Sequence, residues 1–179
     1  MLDEKNCCLV IIDVQGKLAQ TMYNSEVLFK NIQILIKASK ILSIPIIWCQ
    51  QIPKALGATV PQIANLLTDN EPVNKSCFSC CGAQEFKEKF ASLGRSQVLL
   101  CGIEAHVCVY LTAVDLIADG KEVHIIADAV SSRTSENRQI AIERMKAEGA
   151  KISSTEMAIF EILKSAEHPQ FKQIIQLVK

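Results

Sequence analysis

The sequence predicts a three-layer α/β/α fold built on a mostly parallel sheet, and three observations lead to it. Four apolar runs are continuous and rich in β-branched residues, which is typical of strands buried on both faces of a parallel sheet. Helical patterns separate these runs, and such alternation requires crossover connections that cover the sheet with helices. Gly94, Gly120 and Gly149 each follow a helical pattern, where a C-terminal cap favours glycine.

The predicted strands and helices alternate along the chain. The strands are residues 7–12, 44–49, 98–101 and 123–127, with a weaker fifth at 151–154. The helices are at about 25–42, 83–93, 106–119, 134–148, 156–165 and 169–178. Residues 50–80 form a long connection with only a short helical patch near 61–67. Loops of this length in compact domains are often functional.

The length and composition indicate one domain spanning residues 1–179. The chain has 19 basic and 19 acidic residues and no basic stripe, which makes a nucleic acid a poor candidate partner. The N-terminus has no basic-then-apolar secretory signal, and no apolar stretch has membrane-spanning length. We therefore expect a cytoplasmic protein without membrane association, whose eight cysteines stay reduced.

Two candidate residues occur at the carboxyl ends of predicted strands, where open parallel α/β sheets bind their ligands. Asp13 ends the first strand, and a carboxylate after an apolar run needs either a partner or a chemical role. It could equally be a turn or helix-start residue. Cys108 lies in the first turn of the helix that follows residues 98–101. The N–H groups and macrodipole there favour a thiolate and could stabilise an oxyanion, although free cysteines are more often buried and inert.

Other motifs give weaker signals. Lys75, late in the long connection, is by itself typical of a solvated lysine. Cys77, Cys80 and Cys81 contain a C-x-x-C pattern, which leaves a redox or metal site open, but no second pair at zinc spacing accompanies it. The three histidines show no metal-binding pairing. The sequence also lacks the glycine-rich loop that cradles a dinucleotide or nucleoside triphosphate.

Six motifs, taken in order, resemble the isochorismatase-like cysteine hydrolases, and most of all the small isochorismatase domain-containing proteins. The motifs are IDVQ at 12–15, QIPKALG at 51–57 with TVP at 59–61, KSCFS at 75–79, GIEAHVC at 102–108, VHIIADA at 123–129 and EHPQFK at 167–172. Each is weak alone, but together and in this order they are specific. The resemblance covers nearly the whole chain.

The resemblance implies the family's fold, a parallel sheet between helices, and a catalytic triad of Asp13, Lys75 and Cys108. It also implies a cis peptide between Ile103 and Glu104, and an oxyanion hole formed by the backbone N–H groups of Glu104 and Cys108. In this arrangement Asp13 takes the thiol proton, Lys75 favours the thiolate, and the sulfur attacks an amide carbonyl. Water then releases the acid from a thioester intermediate.

This chain departs from the family pattern at three places. Residues 48–53 replace the Asp-x-His-x-x-His metal site of the nicotinamidase branch, so no metal and no cofactor is implied and nicotinamide is a less favoured substrate. Relatives often have Thr-Glu-Gln-Tyr-Pro where this chain has CQQIP at 49–53, so a carboxylate and a phenol are missing from the expected pocket rim. Ala105 stands where Thr is common, which removes one expected hydrogen bond.

Besides the redox or metal site at Cys77, Cys80 and Cys81, the sequence leaves two functions open. The main hypothesis is a metal-independent hydrolase of a small amide or related acyl compound, because isochorismatases that cleave a vinyl ether do not use the cysteine. The alternative is a non-catalytic binding or scaffold protein on the same fold, which the altered pocket rim favours. The expected pocket walls, each of which could instead be core or loop packing, are Gln15, Trp48, Gln51 and Phe78.

The C-terminal helix predicted at 169–178 has an apolar face with two possible uses. We expect a homo-oligomer, since members of the family usually associate, and this face could form the interface. The equally acceptable alternative is that the helix packs on its own domain.

Overall fold

A computed structural model describes residues 1–179, and a sheet of six parallel strands lies at its centre. The strands are β1 (Cys7–Ile12), β2 (Ile46–Gln51), β3 (Val73–Lys75), β4 (Gln97–Gly102), β5 (Glu122–Val130) and β6 (Lys151–Ser153). They lie in the order β3-β2-β1-β4-β5-β6, so the chain winds outward from β1 in one direction and then from β4 in the other. The predicted α/β fold class is therefore confirmed, with a Rossmann-type strand order.

Nine α-helices connect and cover the strands. They are α1 (Gly16–Gln20), α2 (Ser25–Ile41), α3 (Pro53–Leu56), α4 (Pro61–Ala64), α5 (Gln84–Leu93), α6 (Tyr110–Ala118), α7 (Ser135–Ala147), α8 (Thr155–Leu163) and α9 (Phe171–Val178). A 3-10 turn at Cys80–Gly82 and a π-helical turn at Ala105–Val109 precede α5 and α6. The sequence did not predict α1, α3 or β3 because each has five residues or fewer, too few to show a hydrophobic period.

The sheet has an apolar layer on each face. Alternation along β1 sends Leu9 and Ile11 into the layer that contains α2, α8 and α9, and sends Val10 and Ile12 into the layer with α5, α6 and α7. All four side chains are buried, and each such burial contributes roughly 1.5–3 kcal/mol. Both faces of β1 are thus covered, which explains its uninterrupted apolar sequence.

The C-terminal helix packs on its own domain. Ile174 of α9 is fully buried, and Phe171, Leu177 and Val178 pack against the same core layer. Of the two uses that the sequence left open for this apolar face, the structure supports packing on the domain. None of the helices combines the length and the hydropathy that crossing a bilayer requires.

The carboxyl edge of the sheet has a crevice between β1 and β4, where the strand order changes direction. Open α/β sheets bind ligands at such a switch point. Asp13 follows β1 directly, and the segment after Gly102 leaves β4 beside it, because the N–H of Ile103 donates to the carbonyl of Ile12 at 2.9 Å. The fold therefore places the segment that leads to Cys108 next to Asp13.

Gly102 is a position where only glycine fits. Its φ is +117°, and a Cβ there would lie 2.1 Å from the Ile12 carbonyl oxygen and 2.6 Å from the Ile12 nitrogen. Because both are backbone atoms held in the sheet, neither can move aside. We expect Gly102→Ala to lower the free energy of unfolding by about 3 kcal/mol or more, measured by urea denaturation.

Gly94→Ala provides the matched control. Gly94 also has a positive φ, +61°, but a Cβ would meet nothing within 4 Å. Its cost is expected to be only about 1 kcal/mol, the penalty for left-handed backbone alone. Equal losses in the two variants would show that the close approach of β1 and β4 at Gly102 is not what constrains this residue.

Candidate active site

Asp13 is buried at the end of β1 with one oxygen paired and one free. The residue adopts a φ of +53°, a region that Asp and Asn tolerate better than other residues. Its Oδ2 accepts a hydrogen bond from Lys75 Nζ at 2.6 Å, while its buried Oδ1 has no hydrogen-bond partner. A buried carboxylate oxygen without a partner is costly, which makes it a candidate for a chemical role.

Lys75 is fully buried at the end of β3, opposite the end of β2. Its ammonium group contacts four acceptors: Asp13 Oδ2 at 2.6 Å, Gln51 Oε1 at 2.6 Å, and the carbonyl oxygens of Cys77 at 3.2 Å and Phe78 at 3.1 Å. Three protons serve these four acceptors, so the charge has no capacity for a further ligand. Lys75 therefore fixes the carboxylate of Asp13 and the segment that follows β3.

Gln15 is not a lining residue of the small cavity beside Cys108, contrary to its prediction as a pocket wall. Its Oε1 accepts from the Gln51 N–H at 2.6 Å, and its Nε2 donates to the carbonyls of Gln51 at 3.1 Å and Gly57 at 2.7 Å. The amide is thus consumed in binding the end of β2. Since Gln51 Oε1 accepts from Lys75, Gln15 acts on the site by positioning Gln51.

Cys108 lies in the π-helical turn before α6 and is 7% exposed. Thr112 Oγ1 donates to the Cys108 carbonyl at 2.7 Å and accepts from the Cys80 N–H at 2.9 Å. One hydroxyl group thus joins the turn that carries Cys108 to the 3-10 turn that begins at Cys80. These two hydrogen bonds hold the turn that carries Cys108 against the segment that follows β3.

The resting thiol of Cys108 is protonated. Burial raises the pKa of Cys108 to about 12, with a further increase from the Asp13 carboxylate, and the Lys75 cation lowers it by less. Burial also raises the pKa of Asp13 above its ordinary value, against the opposing charge of Lys75. Lys75 lowers the pKa of Cys108, the direction that the sequence indicated, but burial and the Asp13 carboxylate raise it by more.

The peptide between Ile103 and Glu104 is cis, as the resemblance implied. The Glu104 N–H donates no hydrogen bond to any backbone or side-chain acceptor, while the Glu104 carboxylate pairs with Arg133 at 2.9 Å. A free N–H at a residue beside the reacting thiol is what an oxyanion hole needs. The assignment of the Glu104 and Cys108 N–H groups to that role stays a prediction.

A small cavity of about 110 Å³ opens onto the thiol. Its lining residues are Asp13, Leu18, Gln51, Leu56, Phe78, Ile103, Glu104, Val107 and Cys108. Asp13, Gln51, Phe78, Glu104 and Cys108 are residues that the sequence singled out, and the structure brings them together. Lys75 lies behind Asp13 and Gln51, outside the lining.

The sequence missed most of the apolar wall. Leu18 and Leu56 belong to α1 and α3, the two short helices that had no periodic signal. Val107 immediately precedes Cys108 and Ile103 follows β4, so the only available signal was their closeness in sequence to the candidate nucleophile.

Trp48 is not a pocket residue, which corrects its prediction as a wall. It pairs with Ile11 inside the sheet, and its indole Nε1 donates to the carbonyl and side-chain oxygens of Asn70 at 3.2 and 3.1 Å. The predicted second strand ended at Cys49, which placed Trp48 near the sheet edge. The observed β2 continues to Gln51, so Trp48 lies in the core layer.

The cysteines of the C-x-x-C pattern form no disulfide. Cys80 and Cys81 are buried in the core layer under α5, and Cys77 packs against Gly82, where a Cβ would lie 2.9 Å from its sulfur. No group of three or more His, Cys, Asp or Glu side chains is arranged to hold a metal ion. Packing accounts for the positions of all three cysteines.

The isochorismatase domain, as a sequence family, matches residues 7–157 of this chain. The protein belongs to the isochorismatase family. Isochorismatase domain-containing protein 2 of Danio rerio is 38% identical over 178 residues, which are 99% of this chain and 89% of that protein. The family is generally hydrolytic, which agrees with the predicted enzyme class at that level.

Two further proteins that this chain is similar to carry other names. The secreted isochorismatase effector Isc1 of Phytophthora sojae is 37% identical over 175 residues, covering 96% of this chain and 83% of that protein. A solved structure described as MAR1 ribonuclease from Caenorhabditis elegans is 36% identical with a TM-score of 0.93, covering 99% of this chain and 91% of that one. For this chain, the cytoplasmic location and the homo-oligomeric state stay predictions.

Proposed function

We propose that this protein is a metal-independent cysteine hydrolase that cleaves a small amide or related acyl compound with Asp13, Lys75 and Cys108. One observation carries the proposal: Asp13 and Cys108 line the same cavity, and Lys75 holds one carboxylate oxygen of Asp13 while the other has no hydrogen-bond partner. A nucleophile beside a base that a third group orients is the arrangement that nucleophilic catalysis requires.

In the first half of the reaction, Asp13 Oδ1 takes the proton from the Cys108 thiol as the sulfur attacks the amide carbonyl. The proton leaves during the attack, because a thiol with a pKa of about 12 does not exist as a thiolate at neutral pH. The carbonyl electron pair moves to its oxygen, which the N–H groups of Glu104 and Cys108 stabilise. The C–N bond then breaks, Asp13 donates its proton to the leaving amine, and a thioester on Cys108 remains.

In the second half, water hydrolyses the thioester. Asp13, again a carboxylate, takes a proton from water, and the hydroxide attacks the thioester carbonyl at the same oxyanion site. The C–S bond then breaks with its electron pair on the Cys108 sulfur, the acid leaves, and Asp13 returns its proton to the sulfur, which restores the resting pair. Lys75 keeps its four contacts throughout and holds Asp13 in place.

Cys108→Ser is expected to reduce hydrolysis of short primary amides at least about 1000-fold, because the hydroxyl of serine is a far weaker nucleophile beside the same base. Ammonia release measures turnover, and intact-protein mass spectrometry detects the thioester in the unmutated protein. Cys81→Ser, at a buried cysteine outside the cavity, is the matched control and should retain activity. Undiminished turnover in Cys108→Ser would contradict the proposal.

The alternative is a binding or scaffold protein that keeps the fold without catalysis, and the missing carboxylate and phenol at residues 49–53 favour it. If no short primary amide gave a thioester or released ammonia, that result would support this alternative. The C. elegans relative is described as a ribonuclease. In this chain the charged side chains that line the cavity are both acidic, which disfavours a phosphodiester there.

A further inference from the structure

We infer that the cavity takes a short, uncharged, mainly aliphatic amide and rejects compounds that carry a carboxylate or a phosphate. This inference rests on the proposed function and specifies its substrate class. It follows from three properties of the cavity: its charge, its free hydrogen-bonding groups and its size.

The charges at the cavity leave no cation for an anionic substrate. Asp13 and Glu104 are its charged lining side chains, and both are acidic. Arg133 is exposed outside the lining and pairs through its Nε with Glu104 at 2.9 Å, and Lys75 is buried behind the lining with four acceptors of its own. A carboxylate in the cavity would therefore lose its hydration and gain no opposite charge, which is strongly unfavourable.

The unpaired hydrogen-bonding groups include an acceptor and a donor. Asp13 Oδ1 is an acceptor, and the Glu104 N–H of the expected oxyanion hole is a donor. The polar side-chain atoms of Gln51 are used, since Oε1 accepts from Lys75 and Nε2 donates to the Ser76 carbonyl at 2.8 Å. An amide supplies an N–H for the acceptor and a carbonyl for the donor, whereas a carboxylate has no donor for Asp13.

The remaining wall is apolar and close to the thiol. The side chains are Leu18, Leu56, Phe78, Ile103 and Val107. Cavities that bind drug-sized ligands have volumes of roughly 300 Å³ or more, so 110 Å³ suits a substrate of few heavy atoms. The walls favour an aliphatic group next to the amide, because burying its apolar surface against these side chains lowers the free energy of binding.

Alkylation of Cys108 by three reagents tests charge and size together. Iodoacetamide is neutral and small, iodoacetate replaces its amide with a carboxylate, and N-phenyl-iodoacetamide adds a ring. Peptide mass spectrometry gives each rate at Cys108, and glutathione under the same conditions gives each intrinsic rate. The ratio of two alkylation rates at Cys108 compares two reagents on the same thiol, so the effect of its raised pKa on reactivity cancels.

We expect the iodoacetamide-to-iodoacetate ratio at Cys108 to exceed that of glutathione by about tenfold or more, as for an uncompensated buried charge. The ratio of iodoacetamide to its phenyl derivative should also exceed that of glutathione. We call the first the charge ratio and the second the size ratio. A charge ratio at Cys108 equal to or below that of glutathione overturns the inference from charge. A size ratio equal to or below that of glutathione overturns the inference from size. Leu56→Lys should raise the iodoacetate rate selectively, and Leu56→Met, which stays neutral, is its control.

Alkylation does not require turnover, so the hydrolase proposal and the inference about the substrate class can fail separately. A high charge ratio without amide hydrolysis would refute the hydrolase and leave the pocket assignment standing. A low charge ratio with hydrolysis that depends on Cys108 would refute the pocket assignment and leave the hydrolase standing.

Discussion

Replacing Asp13 with asparagine is expected to reduce amide hydrolysis by about a thousandfold while making Cys108 easier to alkylate. Asparagine cannot take the thiol proton, so the loss of turnover is that of a general base. The same change removes the negative charge that raises the pKa of Cys108 and leaves the Lys75 cation, which lowers it. Turnover and reactivity of the thiol therefore move in opposite directions.

The pH dependence of iodoacetamide labelling measures this effect. Burial and the Asp13 charge hold the pKa of Cys108 at about 12, so the unmutated protein should label faster as the pH rises through the alkaline range. In Asp13→Asn the curve should shift to lower pH. Asparagine tolerates the φ of +53° at this position and can still accept from Lys75, but the Lys75 cation loses its counter-charge, so urea denaturation checks that the variant is folded under the labelling conditions. An unchanged or higher midpoint would contradict the assigned role of Asp13.

Lys75→Met is expected to lower the free energy of unfolding by about 3–5 kcal/mol, as for other buried ion pairs that lose one partner. Methionine has a similar length, so the main loss is electrostatic. The Asp13 carboxylate would keep a buried charge without compensation, and the carbonyls of Cys77 and Phe78 would lose a donor. Urea denaturation at neutral pH measures the change.

Two further variants isolate the charge in that result. Lys40→Met removes a lysine from an exposed pair with Asp69 and should cost less than about 1 kcal/mol. The double variant Asp13→Asn with Lys75→Met should be more stable than Lys75→Met alone, because no unpaired charge remains buried. If Lys75→Met costs no more than Lys40→Met, the buried pair does not stabilise the fold as described.

The fold was predictable because its long elements have clear hydrophobic periods. β1 is an uninterrupted apolar run and β4 is apolar over Val98–Cys101, and their ends mark the carboxyl edge of the sheet. Asp13 and Cys108 became candidates from their position after these strands, and the family resemblance gave them roles. Lys75 could not, since β3 has three residues and only the family resemblance distinguished this lysine from a solvated one.

The errors at the site have physical causes that a sequence does not display. The sequence indicated that Lys75 favours the thiolate but did not show the burial of Cys108, which raises the pKa of the thiol by more than Lys75 lowers it. The prediction for Gln15 recognised a polar residue at a strand end but not that three backbone groups satisfy its amide. Both quantities depend on packing between segments that are far apart in the sequence.

The four contacts of Lys75 bear on how related sequences should be compared. Its acceptors come from the end of β1, the end of β2 and the segment after β3, so the lysine joins three parts of the chain whether or not a reaction occurs. In a descendant that lost catalysis, the buried pair of Asp13 and Lys75 would still stabilise the fold. Retention of that pair is therefore no sign of an active enzyme. Under selection for stability alone, Cys108 is the residue of the three that we expect to be substituted first.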